Sequence, residues 1–297
     1  MPCQGAKDAY TYVMESEGAA TGIFKIRESL VAGLFYPDDP QELSKAIDLL
    51  VKESGRVRMD AAALIVPHAS LPFSGLLQAR ALSAARSRRI KTIVLLGPRH
   101  RPDESAVFLP ESGIFRTPLG DLSVDAALAE ELESCGTFFA ADDIPHLEEH
   151  AIEVQLPFIQ RLYPEAAILP LILSSLSAGM VERTAACLDM VLEERLKETL
   201  LVAVSNLGQS ALTFPLVADP RTMDPGVPGG NFADEACGID CIRVLRGMAC
   251  LENLEMEELG RSDSRKIDPQ GNWGDQAGQD ARASVVEYGA FAFYPVE

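Results

Sequence analysis

Hydrophobic positions along this chain follow two different spacings. Over "DDPQELSKAIDLLVKESG", Leu43, Ile47, Leu50 and Val51 recur at helical intervals and mark one buried face. Asp39 is placed to cap that helix, Pro40 suits its first turn and Gly55 ends it. "AAALIV" (61–66) is instead a continuous apolar run, the mark of a strand buried on both faces. Helical spacing returns in 74–88, and "KTIVLLG" (91–97) is a second buried strand. The alternation continues with helices over 124–134 and 145–163, the second expected to kink or split at Pro157. A strand at 166–173, a helix at 178–196 and a strand at 199–206 follow. A Pro/Gly-rich loop (218–231), a helix over 232–249 and a strand over 284–293 complete the chain. Buried strands separated by helices predict an α/β fold: a mixed, largely buried sheet with helices on both faces. No repeat or shift of composition divides the chain, so one domain over 1–297 is expected.

Composition narrows the partners. Of the 297 residues, 47% are hydrophobic and 24% charged, an ordinary globular balance, but the formal net charge is −18. That acidity argues against nucleic acid and against anionic membranes, both of which need a basic face. No apolar stretch approaches the roughly 20 residues that span a bilayer. The first twenty residues lack the basic start and apolar core of a signal peptide. Six cysteines (3, 135, 187, 237, 241 and 250) occur without a C-x-x-C pair, which reads as reduced thiols and a cytoplasmic location.

Candidate chemistry gathers where strands end. There are only four histidines, yet "ALIVPHAS" and "IVLLGPRH" each place one just past an apolar run and a proline. Open α/β sheets bind ligands beyond the carboxyl ends of their strands. If the strands are parallel neighbours, His68, His100 and the Ser205-Asn206 pair after Val204 meet in one crevice. The histidines then form a metal or acid–base pair; the alternative is a histidine that merely caps a strand. The other two histidines lie in "HLEEHAIEVQLPF". His146 and His150 are four apart, as are Glu149 and Glu153, so each pair is expected on one helix face. The string also matches H-x-x-E-H, in which two histidines hold zinc and Glu149 serves as general base of a hydrolase. Against that, Pro145 sets His146 in a terminal turn; a solvated acidic face or a pocket lining are the other readings. Cys237 and Cys241, four apart on an expected helix, are either buried structural cysteines or, for Cys237, a soft metal ligand or thiolate facing the crevice.

The stretches "RESLVAGLFYPDDPQEL", "LIVPHASLPFSG", "VLLGPRH", "TPLGDLSVD", "EEHAIEVQLPF", "EACG" and "SVVEYGAFAF" occur in this order from about residue 27 to 293. Together they resemble the MEMO family, whose prokaryotic members include AmmeMemoRadiSam system protein B. The resemblance implies a fold like that of LigB-type (class III) extradiol dioxygenases, which hold a non-haem ferrous ion. It implies His68, His100 and Cys237 as metal ligands, with Glu149 and His150 near the same pocket. The implied ion is divalent and best matched by Fe(II), with copper or zinc as alternatives. The family name also implies an association with AMMECR1-like and radical S-adenosylmethionine proteins.

One motif departs from the family. Its Ser-Ser-Asp-x-x-His pattern reads "VSNLGQ" here, which puts Asn206 at the aspartate and Gln209 at the histidine. "PHAS" likewise replaces Pro-His-Ala-Gly. Asparagine cannot serve as a general base, and glutamine is a weak ligand at best. Two main readings follow: a metal protein that oxidises a small molecule with O2, or a non-catalytic member that binds a small molecule or peptide in the crevice. Either is compatible with a homo-oligomer. A zinc hydrolase built on His146, Glu149 and His150 is the third.

Overall fold

A computed structural model of the chain describes residues 11–13, 23–101, 104–207, 237–265 and 285–296. The expected helix at residue 39 is α1 (Pro40–Glu53). The Asp39 carboxylate accepts from the amides of Gln41 and Glu42, and Leu43, Ile47 and Leu50 are buried. β3 (Ala63–Val66) and β4 (Thr92–Pro98) are the two apolar runs, both buried throughout, with α2 (Leu71–Ser83) between them. They are preceded by β1 (Thr11–Val13) and β2 (Ile23–Arg27), and followed by β5 (Ala106–Leu109), β6 (Ile114–Thr117) and β7 (Gly120–Ser123). Next come α3 (Ala126–Glu133), β8 (Phe139–Ala141), α4 (Asp143–Glu148), α5 (Leu156–Leu162), β9 (Ala167–Ser174), α6 (Ala178–Leu192) and β10 (Thr199–Val204). The described chain closes with α7 (Ile239–Leu251), β11 (Leu254–Asp263) and β12 (Glu287–Pro295).

Eight strands form the main sheet in the order β11-β12-β3-β10-β4-β9-β5-β8. The central four, β3, β10, β4 and β9, are mutually parallel, while β12 and β5 join them antiparallel. A smaller sheet runs β1-β2-β6-β7. Alternate residues of each central strand feed two separate cores, as a period-2 strand requires. Leu64, Val66, Ile93, Leu95, Val202 and Val204 pack with α1, α2 and α5 on one face. Ala63, Ile65, Val94, Leu96, Leu201 and Ala203 pack with α3, α6 and α7 on the other. This is the expected mixed sheet under two helical layers, consistent with the LigB-type architecture. No helix among the described residues is long and apolar enough to cross a membrane.

The structure corrects several elements. The helix expected over 145–163 is three pieces: α4, a 3-10 turn at Glu153–Gln155, and α5. Pro157 does mark the division, since it lies in the first turn of α5. The earlier break falls at Glu149, whose backbone is extended (φ −108°, ψ 136°). His146 and His150 therefore share no helix face, nor do Glu149 and Glu153. Cys237 likewise does not share a helix with Cys241. Gly238, at φ +93°, separates it from α7, and Cys237 bridges to Asn206 in β fashion instead. The hydrophobic pattern does not mark the short strands β1, β2 and β5 to β8 or the edge strand β11. The loop over 218–231 lies outside the described residues.

Candidate metal centre

The crevice is built by strand register. β10 lies between β3 and β4, with Val204 opposite Val66 and Ala203 opposite Leu96. Pro67-His68, Ser205-Asn206 and Arg99-His100 therefore leave the sheet at the same edge. Gly97, the glycine of "LLGPRH", is demanded by close packing: a Cβ there would lie 2.5 Å from the Ile152 side chain. That contact seats the 149–155 segment over the end of β4. Gly238 plays the same part for Cys237. A Cβ on it would meet the Val204 carbonyl at 2.5 Å, and the Ser205 hydroxyl donates to the Cys237 carbonyl at 2.5 Å.

These placements bring the histidine rings together. The His68 and His100 centroids are 5.2 Å apart, His68 and His150 5.5 Å, and His100 and His150 5.0 Å in a stacked pair. Phe35 packs its ring edge-to-face with His150 at 4.9 Å. Cys237 Sγ lies 2.8 Å from His100 Nε2. On the other side of that ring, the Glu149 carboxylate meets Nδ1 at 2.6 Å and also accepts from the His100 amide at 2.6 Å. Two sets of side chains bring their ligand atoms within 4.8 Å of one another: His68, His100 and Cys237; and His100, Glu149 and His150. His100 belongs to both.

Each ring has a distinct electrostatic setting. His68 is 3% exposed, and burial, reinforced by the neighbouring His100 and His150, pushes it down to about 3. It is neutral at pH 7, the form in which imidazole ligates. Neither of its ring nitrogens has a hydrogen-bond partner. Leaving buried polar atoms unmatched costs about 1–3 kcal/mol. The His68 backbone, by contrast, is held firmly: its amide donates to Asn206 Oδ1 at 3.0 Å, and Gln155 Nε2 donates to the Pro67 carbonyl at 2.8 Å. The Cys237 and Glu149 bonds draw His100 up to about 10. Burial, then the charge of His100, lowers His150. Orphaned imidazole nitrogens beside a thiol and a carboxylate-oriented histidine make a donor set that fits a divalent cation.

Other candidate residues lie elsewhere. His146 is buried away from both sets, 3.2 Å from the Phe108 carbonyl, and burial together with Arg27 pushes it down to about 3. It is in neither group able to hold an ion, so the H-x-x-E-H string is not assembled as a hydrolase site. Glu149 and Glu153 are both buried rather than solvated, 5% and 1% exposed. Gln209 lies outside the described residues.

The pattern of the sequence did not reveal what holds the Glu149-His150 turn. Arg27, at the end of β2, is 1% exposed. It pairs with Glu153 and donates to the carbonyls of His146 (3.0 Å) and Glu149 (2.9 Å). Glu153 in turn accepts from the amides of Leu30 and Val31 and from the Tyr36 hydroxyl, at 2.6 Å. The "RESLVAGLFY" and "EEHAIEV" stretches are thus two halves of one buried anchor. The only signal for it was a charged residue closing the short apolar run "GIFKIR".

Residues 27–227 match the family model described as Memo-like protein. The chain is 34% identical over 149 residues to a MEMO1 family protein of Thermoplasma volcanium, covering 50% of this chain and 55% of that one. It is 32% identical over 194 residues to a MEMO1 family protein of Methanobrevibacter smithii, covering 61% and 69%. A MEMO1 family protein of Aquifex aeolicus is 31% identical over 243 residues, covering 81% of this chain and 60% of that one. The matches thus span from just over half to about two thirds of the relatives' lengths.

Proposed function

Since the chain belongs to the Memo-like family, we propose that His68, His100 and Cys237 hold one divalent metal ion at the sheet edge. The observation that carries this reading is His68, a neutral buried imidazole with both nitrogens unpartnered beside His100 and Cys237. Mixed imidazole and thiolate donors suit ferrous iron, with copper and zinc as competitors. Bound there, ferrous iron would supply the Lewis acidity and redox chemistry for O2-dependent oxidation of a small molecule in the crevice. The protein's own part is orientation. Glu149 holds His100 at Nδ1, so that Nε2 faces Cys237 and would give up its proton to a bound ion. His150, stacked on His100, is the ring available to hold or pass a proton.

Asn206 favours a second reading, a binding protein without turnover. Its carbonyl oxygen is committed to the His68 amide, and an amide side chain takes no proton. General acid–base groups typically supply 10²–10⁴-fold in rate. Elemental analysis of protein purified without chelator tests the metal site. About one ion per chain is expected, lost in His68→Leu with the thermal midpoint retained; a His68→Leu variant that keeps its metal refutes the assignment. Oxygen uptake on catechol-type substrates, after anaerobic iron loading, separates the two readings. Little turnover is expected from the native chain, and a gain from Asn206→Asp with Gln209→His. Robust native turnover removes the binding-protein reading.

A further inference from the structure

Because β3, β10 and β4 are parallel, the connections that enter them gather at the end of the sheet opposite the histidine crevice. Residues 54–62, 84–91 and 193–198 make these connections, and backbone hydrogen bonds join them. The Ser87 amide donates to the Met59 carbonyl at 2.8 Å, and the Lys91 amide to the Glu198 carbonyl at 2.7 Å. Together they carry eight Lys or Arg residues against four Asp or Glu, in a chain whose formal net charge is −18. Basic charge is concentrated at this end, and the rest of the chain is strongly acidic.

A pocket of about 330 Å³ opens there, beside the last turn of α7 and the paired ends of β11 and β12. Small-molecule sites hold roughly 300–1,000 Å³ and are mostly apolar with a few placed polar groups. Here Leu201, Met248 and Leu254 supply apolar lining, and Arg88, Lys197 and Glu252 supply charge. Arg88 is fixed at the wall, its guanidinium donating to the carbonyls of Ala61 at 3.0 Å and Leu196 at 2.6 Å. A guanidinium carries more donors than those two bonds use. Leu196 directly precedes Lys197, so both cations stand at one corner of the pocket. The acids beside them are engaged elsewhere. Arg58 holds Asp60 at 2.7 and 2.9 Å, and Lys91 holds Glu198 at 2.6 Å. Burial works against the Arg88 charge, and an anion at that corner relieves it.

We propose that this pocket binds an amphipathic carboxylate, its hydrocarbon chain against Leu201, Met248 and Leu254 and its anionic head at Arg88 and Lys197. Charge selects the head. Two cations against Glu252 leave the lining with one positive charge, which matches a monoanion rather than a phosphate dianion. The planar fork of Arg88 also suits the planar carboxylate. The apolar lining selects the tail, since each methylene buried there adds to affinity.

The test is titration calorimetry of the full chain with octanoate, and in parallel with octanol and propionate. Octanoate should bind saturably at one site. Octanol lacks the charge and propionate the tail, so each should bind about tenfold more weakly or worse. Lys197→Glu should weaken octanoate roughly fivefold, the upper size of one exposed ion pair, and Glu252→Gln should strengthen it. Opposite shifts from two exposed side chains do not arise from a damaged fold. Leu254→Trp, which fills the pocket, should abolish binding, whereas His68→Leu should leave it unchanged. The proposal is overturned if octanoate does not bind, or if octanol or propionate binds as tightly. It is equally overturned if the charge variants shift affinity in the same direction or not at all, if a folded Leu254→Trp still binds, or if His68→Leu loses binding. Should Leu254→Trp fail to fold, the two charge variants decide.

Discussion

Two buried histidines, one in the anchor behind the crevice and one in the crevice itself, show what separates structure from site. His146 and His68 are 2% and 3% exposed, and burial pushes each down to about 3. His146 is satisfied: its ring meets the Phe108 carbonyl, and its own carbonyl accepts from Arg27. His68 is not, for both ring nitrogens lack partners. The same contrast separates their surroundings. The Arg27–Glu153 anchor matches buried charge with charge and amides, whereas the crevice crowds three imidazoles, a thiol and a carboxylate around ligand positions they do not themselves fill. Between these two histidines, the satisfied ring belongs to the buried anchor, and the unsatisfied one belongs to the cluster that could hold an ion.

The sharpest way to break this contrast is Glu153→Ala, which strands the Arg27 charge in the interior. Removing one partner of a buried ion pair costs about 3–5 kcal/mol. Urea denaturation should show a loss of that size, and a loss below about 1 kcal/mol would mean the pair is not the anchor described. Next in size is Glu149→Gln, at the join of the two regions. Removing the carboxylate that orients a metal-binding histidine typically costs 10–100-fold in metal affinity. Titration with a divalent metal should show that weakening with the fold intact; unchanged affinity would remove Glu149 from the site.

Smallest over any single pH unit is a pH slope. His146 sits at about 3 in the folded chain, below its ordinary 6.5. Between those values the unfolded chain binds a proton that the folded chain does not. Stability from this residue is therefore present above pH 6.5 and lost as the pH falls towards 3, by up to about 1.4 kcal/mol per pH unit. His146→Gln should flatten the acid limb of stability against pH by about that slope. An unchanged limb would show that His146 is protonated without cost and that the contrast with His68 is weaker than described.

Much of this was legible from residue order alone. The cap at Asp39 and the face Leu43, Ile47 and Leu50 settle α1 locally, within one turn of the residues concerned. The runs 61–66, 91–97 and 199–206 read as buried strands from their continuous apolar character, and their endings put His68, His100 and Asn206 at one edge if the strands are parallel neighbours. That inference needed nothing but parallel neighbours, and β10 between β3 and β4 supplies them. Tertiary structure alone decided where the 145–163 segment breaks. Its helical spacing is real, but Glu149 is drawn into an extended conformation because its side chain serves His100 while its carbonyl serves Arg27, 122 residues away in sequence. Local periodicity records which positions are apolar. It carries no record of which distant charge will claim a carbonyl, or of the bridge to Asn206 that brings Cys237 to the crevice. Those outcomes depend on long-range partners that compete with local helix formation, and in a buried site the need to satisfy polar groups wins that competition.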